Sequence, residues 1–448
     1  MTRKLVGKLI RSKLANTLIR LIKWYLTSKT FSLAEMETFA QHNNIEIETI
    51  IDTSFIQGQK PTFWGGRGSV DFSIYQGTQI SPAVHLIKIP NAIAIGRSDL
   101  VLKDDIALYP QPFDPLHYSF MLEKERTATV DTNDGRIRMI FRRKSLRVDS
   151  AISLLGQCNG NYAHWVLEVL TRAALVETIP SLSGLPFLVD SPVHEKMVDA
   201  LDILNVSGRE IIPVHNAQKV YVRTLFHLTS PSFTPPETRR FFNTGMIDVP
   251  RRDQFQFSPT ALKILRELAV SEVGQYAAPL YSYSSIQLPA DSTFKFVYLS
   301  RRPGTTGNGR YVANAMAVER AIRRRGFTPI DMYSLPFEEQ VMVLRQAKVV
   351  VSPLGAALAN LVFCEPGVSV VLLSPYYTGA NWYYWTNLML AAGHRLYIVV
   401  GPQAGGGTNE IYHRDFRISL RLLDIAIGEA LVDADLDPPP QFKVTTHK

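Results

Sequence analysis

Residues 161–172 read Asn-Tyr-Ala-His-Trp-Val-Leu-Glu-Val-Leu-Thr-Arg and set an imidazole and a carboxylate four positions apart in an otherwise apolar stretch. On a helix, His164 and Glu168 share one face, a turn apart, beside the pair Trp165 and Val169. Ionisable groups in such a place are costly unless they are paired, exposed in a cleft or used in chemistry. One reading is a hydrogen-bonded detail of a domain core with Glu168 solvated. The other is a proton-transfer couple. Asn159-Gly160-Asn161 supplies a turn followed by an N-cap, so the imidazole falls in the first helical turn, at the mouth of a loop where active sites are often assembled.

A second group of candidates lies between 300 and 360. Ser300-Arg301-Arg302-Pro303-Gly304 follows a short apolar run and continues to Arg310. Guanidinium groups there suit bidentate binding of a diphosphate, or else they form a solvent-facing basic loop. Ser352-Pro353-Leu354-Gly355-Ala356-Ala357 follows Val349-Val350-Val351 and leads into Leu358-Ala359-Asn360. Small residues there let backbone amides approach an anion at a helix N-terminus, or simply make a tight strand-to-helix turn. The segment is neither a Walker loop nor a Gly-rich dinucleotide fingerprint. The aromatic run Asn381-Trp382-Tyr383-Tyr384-Trp385 reads first as core or interdomain packing and second as a stacking surface for a base or sugar ring.

The patterning around these groups predicts the elements that hold them. Short β-like runs occur at 45–51, 84–89, 92–95 and 137–141. Then come a helix over 161–177, a strand at 186–189, a helix over 192–204, strands at 209–213 and 219–228, and a helix over 259–272. Alternation resumes with strands at 295–300, 328–332, 349–352 and 368–373, helices over 313–325 and 336–347, and a helix start at 356–362. This is the pattern of open α/β sheets, in which ligands bind outside the carboxyl ends of the strands. The expected division is a terminal helix (1–30), a first α/β domain with a β-rich entry (31–275), a linker (276–292), a second Rossmann-like domain (293–412), a C-terminal helix (413–432) and a Pro-rich tail (433–448).

A length of 448 residues exceeds one ordinary core, and 46% hydrophobic with 20% charged residues is a globular composition. The net charge of +8 is not a nucleic-acid signature, because residues 1–30 hold eight basic residues and no acidic one, while the remainder balances at 40 of each sign. Arg11, Lys13, Arg20 and Lys23 interrupt the apolar residues of that segment, so it is too short of apolar length to span a bilayer. It suits an amphipathic helix on an anionic membrane surface, or a basic helix packed on the body of the protein or on a partner. Cys158 and Cys364 form no framework, which suits a reducing compartment, and no spacing of His and Cys suggests a metal site.

Four motifs in order carry a resemblance to a known family: Asn161-Tyr162-x-His164-Trp165-x-x-Glu168-x-Leu170-x-Arg172; Tyr298-x-Ser300-Arg301-Arg302 with Asn314 beyond it; Leu335-x-Phe337-x-Glu339-Gln340; and Gly355-Ala356-x-Leu358-x-Asn360-x-x-Phe363-x-x-Pro366-Gly367. Over roughly 85–400 the chain resembles glycosyltransferase family 61. The resemblance implies a GT-B architecture, two Rossmann-like doubly wound domains facing across a cleft. It also implies inverting, metal-independent transfer from a nucleotide sugar to a hydroxyl of a glycan or lipid-linked acceptor. His164 and Glu168 would then be catalytic. Arg301, Arg302, Arg310, Asn314, Glu339, Ser352, Gly355, Ala356 and Asn360 would hold the donor. The chain departs from the family pattern at Leu354, where a His is usual, at Ala315 in place of Glu, and at Leu372 near a usual carboxylate. These departures imply altered donor use, or a degenerate homologue that binds glycan or scaffolds an assembly complex. No Gly-rich fingerprint supports an oxidoreductase. The expected setting is the cytoplasmic face of a bacterial membrane, in capsular or lipopolysaccharide synthesis.

Overall fold

The computed structural model describes residues 28–65, 75, 77–111, 122, 127–131, 134–142, 144–235, 252–275, 294–301, 310–377, 380–407 and 413–435. They form a mixed α/β structure built on two large sheets of 11 and seven strands. In the first sheet, β1 (Val84–Ile95), β2 (Leu146–Ser153), β3 (Phe187–Ser191), β4 (Ile211–His215) and β5 (Lys219–Leu228) run in the order β4-β3-β2-β5-β1. The first four of that order are mutually parallel, and β1 is antiparallel to β5. Short strands from the β-rich entry extend the sheet beyond β1, all antiparallel to their neighbours except for the parallel pairing of Ser28–Glu35 with Ile106–Tyr109.

The second sheet contains β6 (Phe296–Leu299), β7 (Thr328–Ile330), β8 (Val349–Pro353), β9 (Ser369–Tyr376) and β10 (Arg395–Gly407), ordered β7-β6-β8-β9-β10 and all parallel. Its central strands β8 and β9 carry buried runs of Val and Leu, as a sheet covered on both faces requires. The direction of winding reverses between β6 and β8, so the loops leaving these two strands flank a topological switch point.

The helical segment 162–177, here α1, connects β2 to β3. It is α-helical at Tyr162–His164, π-helical over Trp165–Leu170 and α-helical again over Thr171–Glu177. The Thr171 hydroxyl donates to the Val166 carbonyl five residues back at 3.0 Å, which supports the wider turn. Trp165, Val166, Leu167, Val169 and Leu170 are all buried, because α1 is covered by the sheet on one side and by other helices on the rest. Each such aliphatic side chain contributes about 1.5–3 kcal/mol by leaving water.

Those other helices are α2 (Glu195–Leu204), α3 (Pro259–Gln275), α4 (Ala315–Arg324), α5 (Phe337–Leu344), α6 (Tyr383–Ala391) and α7 (Leu420–Ala434), with a 3₁₀ helix at Ala356–Phe363. One buried cluster runs from Ile152 and Leu154 of the first unit through Val169, Leu201 and Leu265 to Val341, Phe363, Val297 and Val370 of the second. Along α1, α3, α5 and the 3₁₀ helix the two sheets' layers share a packed apolar core. The expected boundary is crossed in a second way: the strand Thr62–Gly65, placed by sequence in the first domain, pairs in parallel with β10 at residues 397–400. Three polar side chains sit within the shared layer and bond to one another, as described below.

Several boundaries differ from the expected ones. The predicted terminal helix lies outside the described residues as far as position 27, and residues 28–30 begin the strand Ser28–Glu35, paired on both sides. The runs at 84–89 and 92–95 are one strand, carried through Pro90 and the left-handed Asn91. Residues 276–292 also lie outside the described residues. The C-terminal helix begins at Leu420 behind the Ser419 cap, because residues 414–416 first pair with β10. The aromatic run is core: Trp382 is buried, its indole N–H donates to the Ser374 hydroxyl at 2.7 Å, and Tyr384 packs against Phe257 and Trp385.

Candidate active site

The first half of the site grows from the N-terminus of α1. Asn161 caps it, its side chain accepting from the Ala163 amide at 2.9 Å. This fixes the entry of the helix and sets His164 at the end of the first turn. His164 Nδ1 lies 2.7 Å from Glu168 Oε1, and the two side chains are 12% and 14% exposed. They are thus partly desolvated and paired, yet still reachable. They line a pocket of about 520 Å3, its open mouth included. Part of the remaining wall comes from the segments that leave strands, with Gln157 beyond β2, Ser230 beyond β5 and Asp99 beyond β1.

Beneath the pair lies a buried charge network. Arg172 donates from Nε to the Glu168 carbonyl at 3.0 Å, from Nη1 to Ser153 at 3.3 Å, and from Nη2 to Leu154 and Leu155 at 3.2 Å each. It ties the π-helical turn to the end of β2. Its charge also faces Asp99, Glu168 and Asp190. Burial, then the charge of Glu168, pushes the Asp99 carboxyl up to about 6, while the Gln157 amide and Arg172 pull it down. Asp190 is also pushed up to about 6 by burial, against hydrogen bonds from the amides of Arg97 (2.6 Å) and Gly156 (2.9 Å) and from the Asn159 side chain (2.7 Å).

His227 closes the pocket from β5. Burial and, less strongly, Arg172 lower its pKa to about 3, so the ring stays neutral. An unfolded chain binds a proton there near pH 6.5 that the folded chain refuses until about pH 3. His227 therefore removes stability progressively as pH falls through that window. His227→Gln is expected to flatten the decline of the melting temperature between pH 6.5 and 4; an unchanged slope would show that His227 is not buried neutral.

The second half lies at the switch point of the second sheet. Arg301 leaves β6 and donates from Nη1 to the Leu354 carbonyl beyond β8 at 3.2 Å, with its guanidinium 5.3 Å from the Tyr311 ring. Burial lowers its pKa, offset by Tyr311 and Asp415. Gly355 is extended, and a Cβ there would stand 3.3 Å from Arg301 Nη1. Glycine thus leaves the guanidinium room beside the backbone. Arg310, held at φ 78°, and Arg301 lie within electrostatic reach of the neutral His413. Burial, then Arg310, then Arg301 lower the His413 pKa to about 3.

Other expected donor residues are placed differently. Arg302 lies outside the described residues. Asn314 spends its amide on the backbone of Ile418, donating to the carbonyl at 2.8 Å and accepting from the N–H at 3.0 Å, which ties α4 to the start of α7. Ser352 is buried with its hydroxyl on the Pro353 carbonyl at 2.9 Å. Glu339 lies buried in the first turn of α5, its carboxyl pushed up by burial and by Glu338, with Lys196 pulling down. Ala356 opens the 3₁₀ helix. Asn360 is fully buried, bonded to Tyr162 and Gln340. Leu354 and Leu372 belong to the apolar core, and Ala315 begins α4.

Sequence reasoning missed Asp99, Asp190, His227 and His413. Each comes from a segment remote from the motifs. The one signal was His227, a lone imidazole in the otherwise apolar C-terminal half of β5.

A search of the curated proteins finds no match. Residues 162–371 match the family model described as Glycosyltransferase 61, a span that opens on Tyr162 at the start of α1, takes in the His164–Glu168 pair and the Arg301–Gly355 grouping, and ends in β9. Residues 162–371 thus carry a glycosyltransferase family 61 domain, which implies glycosyltransferase activity in general.

Proposed function

We propose that this protein is an inverting glycosyltransferase of GT-B type that uses a nucleotide sugar and no metal ion. The carrying observation is the 2.7 Å His164–Glu168 pair in the wall of an open pocket. An attacking hydroxyl must lose its proton as its oxygen bonds to the anomeric carbon. With Glu168 on Nδ1, the proton passes to Nε2 of His164, and the carboxylate steadies the imidazolium that forms. As the new bond forms, the bond from the anomeric carbon to the phosphate oxygen breaks on the opposite face. Its electron pair leaves with the nucleoside diphosphate, and the configuration inverts. Arg301, Arg310, His413 and the amides of Gly355 and Ala356 stabilise that departing charge.

The parallel strands β4-β3-β2-β5 of the first sheet and β7-β6-β8-β9-β10 of the second support a GT-B reading. The acceptor is a hydroxyl of a glycan or lipid-linked glycan, in capsular or lipopolysaccharide synthesis. No helix among the described residues is long and apolar enough to cross a membrane. Residues 1–27, rich in Lys and Arg, serve to hold the enzyme on anionic lipid at the cytoplasmic face.

The donor side is tested by thermal shift with UDP, GDP, CDP, ADP and dTDP. A ligand at one hundred times its Kd stabilises by about 2.7 kcal/mol. Arg301→Ala is expected to weaken the responding nucleotide by about ten- to a hundredfold, the worth of a charge-assisted hydrogen bond of about 1.5–3 kcal/mol. Unaltered affinity would remove Arg301 from the donor site.

A second reading rests on Leu354 and Leu372, apolar and buried where the resemblance leads one to expect polar groups. In that reading the protein is a degenerate homologue that binds glycan or scaffolds an assembly complex. Turnover of any nucleotide sugar excludes it.

A further inference from the structure

We infer that Tyr162, Gln340 and Asn360 form a positioning clasp through which occupation of the Arg301–Gly355 grouping is felt at the His164–Glu168 pair; this rests on the donor-site reading above. Tyr162 opens α1, two residues before His164. Asn360 lies on the 3₁₀ helix that starts immediately after Gly355. Gln340 lies on α5. The Tyr162 hydroxyl is 2.8 Å from Asn360 Oδ1 and 3.0 Å from Gln340 Oε1, and Asn360 Nδ2 donates to Gln340 Oε1 at 2.6 Å.

The hydrogen-bond chain fixes its own polarity. Gln340 Nε2 donates to the Leu335 carbonyl at 3.0 Å, which turns Oε1 towards the other two residues. Asn360 must then present Nδ2 to Gln340, which leaves Oδ1 to accept the Tyr162 proton. Burial raises the pKa of Tyr162, so the hydroxyl remains a donor.

Around this triangle the layer is apolar, with Trp165, Phe337, Leu358 and Phe363 in the same cluster. An all-apolar contact would hold these helices together without desolvating three polar groups. What the triangle adds is direction. Hydrogen bonds tolerate little displacement, so a shift of the Gly355–Asn360 segment against a bound anion carries the start of α1 with it. The candidate base and the candidate diphosphate cradle thus share one short, buried connection.

Hydrogen–deuterium exchange on the full chain tests this, with inorganic pyrophosphate, UDP, GDP, CDP, ADP and dTDP as probes. Any probe that binds is expected to slow exchange at 354–363 and also at 162–170. In Tyr162→Phe, which keeps the ring, slowing at 354–363 and probe affinity should persist while slowing at 162–170 is lost. Gln340→Met is the second variant and should behave alike. Slowing at 162–170 that survives in both variants, or that is absent from the native protein when a probe binds, overturns the clasp and leaves the donor reading intact. Binding of none of the probes overturns both.

Discussion

His164→Ala is expected to lower glycosyl transfer by about two to four orders of magnitude, the contribution of a positioned general base, while nucleotide binding stays as it was. The separation follows from the geometry. His164 belongs to α1 and the pocket beside the first sheet, whereas the Arg301–Gly355 grouping belongs to the loops leaving β6 and β8. Glu168→Gln is expected to cost less than the loss of the imidazole. An amide can still meet Nδ1, but it cannot balance the imidazolium and it relaxes the choice of tautomer. Initial rates and diphosphate affinity measured on both variants check this. Retained turnover in His164→Ala would move the base elsewhere, and Asp99, in the same pocket with its carboxyl pushed up to about 6, is the next residue to test.

Arg172→Ala is expected to destabilise the fold by about 3–5 kcal/mol, the cost of removing one partner from a buried charge cluster. The variant removes the guanidinium donors from the carbonyls of Ser153, Leu154, Leu155 and Glu168, of which Leu154 keeps the Asn159 amide and Glu168 the Thr171 N–H. It also leaves Asp99, Glu168 and Asp190 without the cation that offsets their mutual repulsion. The loss depends on pH with a definite sign. Asp99 and Asp190 have folded pKa values of about 6, raised above the ordinary value of 3.8, so below about pH 6 they take up protons in the folded state and need the cation less. The deficit of the variant is therefore largest above pH 6 and shrinks towards pH 5. Urea unfolding at pH 5 and pH 8 measures it, and an equal deficit at both would show that the carbonyl hydrogen bonds alone account for the effect. Arg172→Lys should recover little, since one ammonium cannot reproduce a fork on four carbonyls.

The sequence announced α1 and its pair because the apolar period, the Asn161 cap and the His-to-Glu spacing are local signals, and the structure places these residues accordingly. The regular alternation from 295 onward likewise foretold a parallel sheet, since strands buried on both faces read as continuous Val and Leu. What stayed hidden was set by contacts between distant segments. Asn360 looked like a ligand-binding amide, but its partners are Tyr162 and Gln340, and no local pattern distinguishes an amide facing a ligand from one facing another amide. Asn314 is a similar case, engaged by Ile418 more than a hundred residues away. Asp99, Asp190 and His413 carry no motif of their own and acquire meaning only from the strand ends beside which they lie. The π-helical turn was also illegible, because its sequence fits an α-helix equally well and the extra residue per turn answers to Thr171 and Arg172.

The strand Thr62–Gly65 lies beside β10 in the second sheet, more than 300 residues from its partner along the chain. On a ribosome adding about 5–20 residues per second, this strand emerges some tens of seconds before anything exists for it to pair with. Its row of unmatched amides and carbonyls, with Phe63 and Trp64 attached, is a sticky edge for as long as synthesis continues. The second sheet can be completed only when the chain is nearly finished. Expression yield should therefore depend on holdase chaperones and low temperature, and fragments ending before residue 395 should accumulate as aggregates.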